Sequence, residues 1–256
     1  MVTLEVVNLS YSFTQNKHTI PVLNEINFSV ETGQLVALLG PSGCGKSTLF
    51  NIISGLLTTH IGDIYINGNL ISGNTGIFGY MQQKDLLLQW RTVLKNVLIG
   101  PEIQKESLTE AVSEAHELLD QLGLQGFADS YPMQLSGGMR QRVALIRTLL
   151  FRKDVLLLDE PFGALDAMTR TVMQSILLDI WQKSKQTIIL ITHDIEEALL
   201  LADKIYILTA RPATIKAEIY VPLPRPRVVT ARELIDLKSS LYAQLKVEMQ
   251  QVFDNN

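Results

Sequence analysis

Residues 34–48, QLVALLGPSGCGKST, constrain the chain more than any other stretch. The continuous apolar run ending in glycine reads as a strand buried on both faces, and such strands belong to parallel sheets covered by helices. The turn that follows has the pattern G-x-x-x-x-G-K-[ST] at Gly40, Gly45, Lys46 and Ser47, and STLFNIISGL continues it with helical spacing. Strand, glycine-rich loop and helix in that order predict a phosphate cradle built from Gly40, Pro41, Ser42, Gly43, Cys44, Gly45, Lys46, Ser47 and Thr48. Backbone N–H groups would wrap the phosphates, Lys46 would reach the β- and γ-phosphates, and the Ser47 hydroxyl would ligate Mg²⁺.

The same strand form returns in DVLLLDEP (154–161) and QTIILITHD (186–194), and KIYIL (204–208) predicts one more strand. Four apolar residues place Asp159 and Glu160 at the C-terminal edge of a buried strand, where parallel sheets bind ligands. Asp159 is expected to hold Mg²⁺, and Glu160 to act as general base toward an attacking water. Alternation in LEVVNLSYSF, GDIYING and the stretch ending at GIFGY (76–80) predicts an antiparallel layer in the first third. Residues 84–150, with helical spacing in LTEAVSEAHELLDQLGL and from Gly137 to Leu150, read as a helical insertion. The chain then reads as one domain of 1–256: a core of 1–83 and 151–215, helices in 84–150, and an extension over 216–256 that holds VPLPRPR and helical spacing from Ala231 to Phe253.

With a net charge of −4 and no basic run tied to aromatics, nucleic acid is not an expected partner. The single cysteine, Cys44, excludes an intramolecular disulfide and suits a reducing compartment. MVTLEVVNLSYSF lacks the features of an export signal, and no apolar run approaches the ~20 residues of a membrane span. The histidines at 18, 60 and 116 show no metal-ligand spacing.

A second anion-binding pattern lies in LSGGMRQR (135–142), a serine and two glycines opening a helix. Taken with the phosphate loop, Gln83, PFGALD and THD, it resembles the ATP-binding-cassette (ABC) ATPases over nearly the whole chain, with Met139 in the usual glutamine position. The resemblance implies an α/β fold of the phosphate-loop NTPase (RecA-like) kind, with a parallel core sheet, an antiparallel β layer and an inserted helical subdomain. It implies a head-to-tail dimer with a second copy of the chain, in which Ser136, Gly137 and Gly138 close over the neighbour's ATP. Gln83 resembles the glutamine that senses Mg²⁺ and the attacking water, His193 the switch histidine on the γ-phosphate, and Asp166 the acid linking the two sites. Phe13 aligns with the aromatic that stacks on adenine, with Tyr11 as the alternative. Cys44 is expected to be a small filler.

Within the family, DLLLQW (85–90), GGMRQR, PFGALDAMTR and LPRPR resemble the importers for nitrate, sulfonates and taurine, with thiamine-precursor importers close by. Gln89 departs from that group, which usually has proline before the tryptophan. The resemblance implies ATP hydrolysis at the cytoplasmic face of a bacterial membrane, driving uptake through separate permease subunits and, indirectly, a substrate-binding protein. DLLLQW would line the groove for a short permease helix, against the reading of its leucines as core. The rival is a soluble ABC ATPase of iron–sulfur assembly.

Overall fold

The computed structural model describes residues 2–15, 18–58, 61–71 and 73–254; His60 lies outside them. In chain order the strands and helices are β1 (Val2–Gln15), β2 (His18–Glu31), β3 (Leu35–Leu39), α1 (Lys46–Ile53), β4 (Ile61–Ile66), β5 (Asn69–Leu70) and β6 (Gly79–Met81). There follow α2 (Val93–Val97), α3 (Ile99–Gln104), α4 (Leu108–Gln121), α5 (Gly137–Leu149), β7 (Val155–Asp159) and α6 (Ala167–Ser184). The chain finishes with β8 (Thr187–Thr192), α7 (Ile195–Leu201), β9 (Lys204–Leu208), β10 (Ile215–Tyr220) and α8 (Arg232–Asp254). It divides into two compact units, Met1–Ile77 with Lys185–Asn256, and Phe78–Ser184.

In the first unit β3 runs parallel to β8 on one side and β9 on the other, and β10 closes the edge antiparallel to β9. Every residue of β3, β8 and β9 is buried, as uninterrupted apolar runs require once both faces are covered. A separate antiparallel sheet has the order β2-β1-β4-β5. Along β1 the buried positions shift from Leu4 and Val6 to Leu9, because a register shift falls there and Asn8 takes a left-handed φ of 48°. An extra residue in one strand moves the side-chain alternation to the other face, and asparagine tolerates the conformation.

In the second unit β6 and β7 pair parallel, Gly79 opposite Leu156. This corrects the assignment of GIFGY to the antiparallel layer. A Cβ on Gly79 would sit 2.6 Å from Leu156 Cδ2, so glycine lets a very short strand approach β7, with Phe78 and Met81 buried beside it. The two helices expected from spacing form as α4 and α5, and α2 and α3 add two short ones. α4 buries Ala111, Ala115, Leu118 and Leu119, one stripe of an amphipathic helix, whereas α5 is buried over most of its length.

Candidate functional site

The phosphate loop lies in the first unit between β3 and α1. Gly45 has φ 123°, and a Cβ there would meet Val22 Cγ1 at 2.8 Å; at Gly40 it would lie 3.0 Å from Leu208 Cβ. Glycine is therefore required at Gly45 by both backbone and space, and at Gly40 it relieves a tight approach to β9. Ser42 and Gly43 are exposed, while Ser47 and Thr48 in the first turn of α1 are half-buried. Lys46 is buried, and its Nζ donates to the carbonyls of Gly40 (2.8 Å) and Pro41 (2.9 Å). The ammonium group thus sits over the loop that a phosphate would enter. Cys44 is 1 % exposed with its Sγ 3.9 Å from Lys46 Nζ; burial pushes the thiol pKa up, and the lysine charge opposes this.

Phe13, on β1 of the same unit, is 42 % exposed and meets Tyr11 edge to face at 5.0 Å between ring centres. The ring is open to stack on a flat ligand. His193 is exposed between the end of β8 and Asp194, the N-cap of α7, whose Oδ1 accepts from the N–H of Glu196 (2.8 Å) and Glu197 (3.3 Å). Asp194 N–H in turn donates to Thr192 Oγ1 at 3.0 Å. The turn carrying His193 is thereby tied to strand and helix alike.

The second unit gathers the remaining candidates. Asp159 ends β7 and is 2 % exposed; burial first, and then the Asp159 charge, push the phenol pKa of Tyr80 up from the neighbouring β6. Glu160 follows in a left-handed conformation (φ 49°), and Gln83 Nε2 donates to its Oε2 at 3.3 Å. With the amide nitrogen so engaged, Gln83 Oε1 is the atom left to face a cation. Ser47, Gln83 and Asp159 are all oxygen donors, the chemistry Mg²⁺ takes.

Ser136 caps α5, its Oγ accepting from Met139 N–H at 3.3 Å. Ser136 and Gly137 are exposed, and a Cβ on Gly137 would meet nothing closer than 3.9 Å. Gly138 is tighter, 3.1 Å from Leu165 Cδ2. Asp166 caps α6 by accepting from the Thr169 N–H (3.0 Å) and hydroxyl (2.7 Å), bonds that hold its pKa below the usual carboxylate range.

Three side chains of α5 have a positioning role that the motif alone did not suggest. Gln141 is buried and hydrogen-bonds both Glu160 and Ala164. Arg140 binds Asp85 Oδ2 at 3.0 Å, and Arg147 donates to the carbonyls of Asp85 (2.6 Å) and Leu86 (2.8 Å). From α2, the fully buried Asn96 accepts from Leu88 N–H and donates to the carbonyls of Leu88, Arg91 and Thr92. Polar residues on otherwise buried helical positions were the available signal. They pin DLLLQW so that Leu87 is buried while Leu86 (50 %) and Trp90 (75 %) stay exposed. The segment is core and surface by turns, beside a cleft of about 500 Å³ lined by Gln83, Asp85, Leu87, Arg140 and Gln141.

Residues 23–163 match the ABC transporter family. The chain belongs to that family. It is 46 % identical to the taurine import ATP-binding protein of Pelagibacter ubique, over 84 % of this chain and 82 % of the relative. It is 41 % identical to an aliphatic sulfonates import ATP-binding protein of Bacillus cereus, over 95 % of this chain and 96 % of the relative. Among solved structures, a dimeric, post-hydrolysis ATP-binding cassette bound to ADP and Pi superposes with a TM-score of 0.77 at 28 % identity, covering 86 % of this chain and all of that one. The fold is that of the ABC ATPase cassettes.

Proposed function

We infer that this chain is the ATP-hydrolysing subunit of an ABC importer for a small molecule. Its near-full-length likeness to import ATP-binding proteins supports this over the soluble iron–sulfur assembly alternative. No helix of the described residues is long and apolar enough to cross a membrane; the likeness to import ATP-binding proteins supports separate membrane subunits as partners. The subunit would work at the cytoplasmic face of a bacterial membrane, with a substrate-binding protein selecting the cargo. The exposed Leu86 and Trp90 beside the cleft are the surface proposed for a permease helix.

The observation that carries the catalytic reading is Glu160, held at the end of a buried strand by Gln83 at its carboxylate. In this reading Glu160 takes the proton of the attacking water and Gln83 orients that water. Lys46 leaves the Gly40 and Pro41 carbonyls for the phosphates, which the N–H groups of the loop bind as acceptors. Mg²⁺, when bound, neutralises charge on the β- and γ-phosphates; Ser47, Gln83 and Asp159 are proposed to hold it. His193 would donate to the γ-phosphate, and Phe13 would stack on the base. Ser136, Gly137 and Gly138 would close over the nucleotide of a second copy, with Asp166 linking the two sites. The domain reading proposed here keeps 1–83 and 151–215 as nucleotide-binding core, 84–150 as helical subdomain and 216–256 as extension.

The test is complementation in mixed dimers. A Lys46→Ala chain and a Ser136→Arg chain are each expected to be inactive, while their mixture regains hydrolysis, because both lesions fall on one site and leave the other whole. A mixture no more active than its parts, with heterodimer demonstrated by differential tagging, would falsify the shared-site reading.

A further inference from the structure

The segment VPLPRPR is unusual for a surface tail because its arginines turn inward. Arg227 Nη1 donates to the carbonyls of Leu199 (2.7 Å) and Ala202 (2.6 Å) at the C-terminal end of α7. Its other nitrogens hold its own segment, at Leu223 O (2.9 Å) and Val221 O (3.1 Å). Arg225 donates to Leu201 O and, at 2.6 Å, to Asp203 Oδ1. Asp203 Oδ2 accepts from Leu35 N–H, at the start of the strand that feeds the phosphate loop, at 3.0 Å. Lys238 of α8 pairs with Glu196 in the first turn of α7.

The last carbonyls of a helix lack intrahelical partners and carry the negative end of its dipole, so cations are stabilising there. Here three of them, on Leu199, Leu201 and Ala202, are taken by two guanidinium groups from more than twenty residues away. α7 spans only Ile195–Leu201, and Asp194 fixes its other end beside His193. A helix of two turns gripped at its far end moves as one body with the turn that precedes it.

We propose that Arg225 and Arg227 are positioning residues for His193: the tail clamps α7 and thereby sets where the histidine stands at the end of β8. This rests on the reading that His193 contacts the γ-phosphate. Burial, and then the nearby charge of Arg225, lower the Arg227 pKa to about 10, with Asp203 opposing, so the guanidinium stays charged at neutral pH.

The experiment is a double-mutant cycle on the purified full-length chain with MgATP, recording kcat and KM, with circular dichroism as the check on folding. Arg227→Gln is expected to lower kcat roughly threefold to thirtyfold at unchanged KM, the range for residues that act through a shared element. Arg227→Lys, which keeps the charge but reaches fewer carbonyls, should recover part of the loss; if Arg227→Gln does not fold, it replaces that variant in the cycle. In the His193→Ala background the second substitution should cost nothing further. Equal losses in both backgrounds, or a normal kcat for Arg227→Gln, would overturn the positioning role alone. A normal kcat for His193→Ala would instead remove the role of the histidine, and the clamp's action with it.

Discussion

Gln141 Nε2 donates to the main-chain oxygen of Glu160 at 2.9 Å, and its Oε1 accepts from the Ala164 N–H at the same distance. One buried amide thus closes the turn 160–164 from both ends, with Gly163 N–H adding a bond to Glu160 O at 3.1 Å. The helix that begins at the signature therefore holds the backbone of the proposed general base. Gln141→Leu leaves two polar groups of that turn without their side-chain partner, which costs about 1–3 kcal/mol. Urea denaturation should show that loss and hydrolysis should slow with it; unchanged stability and rate would mean that the turn holds its own shape.

Glu160→Gln keeps the shape of the side chain and its neighbour Gln83 but removes the base. ATP binding should persist while turnover falls about 10²- to 10⁴-fold, the usual worth of a positioned base. Equilibrium binding and single-turnover hydrolysis separate the two. A rate near wild type would assign proton transfer to another group.

How much of this could be read beforehand varies with the kind of residue. Buried parallel strands announce themselves, since VALLG, VLLLD and IILIT are apolar up to their last residue, and the phosphate loop is contiguous. Strand β6 could not be placed, because three residues carry too little periodicity and Gly79 earns its position by a contact 77 residues away. Gln141, Arg147 and Asn96 gave only the weak signal of a polar residue at a helical position, because the main-chain atoms they bind are named by no motif, and Arg140 gave no sign that Asp85 is its partner. DLLLQW shows the limit of composition, since an apolar run does not say which of its members points inward.

That last division predicts opposite outcomes for neighbouring residues. Leu87 is 5 % exposed, so Leu87→Asp should cost about 3–5 kcal/mol and lower the Tm sharply. Trp90 is 75 % exposed, so Trp90→Asp should stay within about 0.5 kcal/mol in thermal denaturation. The Trp90 variant should nevertheless copurify poorly with the membrane subunits and fail in uptake. Normal uptake by a folded Trp90→Asp chain would move the docking surface elsewhere.

Cys44 should be a sluggish thiol. Its pKa is raised by burial and the side chain is closed to solvent, and only the thiolate reacts. Iodoacetamide labelling at pH 7.5 should run at least about tenfold slower than for the urea-unfolded chain, rising as pH passes the ordinary thiol range. Equal rates for folded and unfolded protein would show that the loop opens readily.

The clamp on α7 also bears on how the chain is made. Synthesis proceeds from the N-terminus, at about 5–20 residues per second, and domains begin to fold as they emerge. Helix α7 is complete at Leu201, but the guanidinium groups that satisfy its last carbonyls lie at 225 and 227. Until those residues clear the ribosome, the turn bearing His193 is attached to a helix with an unfinished end. The phosphate loop waits as well, since β3 needs β8 and β9 on either side of it, but the histidine side of the cassette matures last, when the tail arrives.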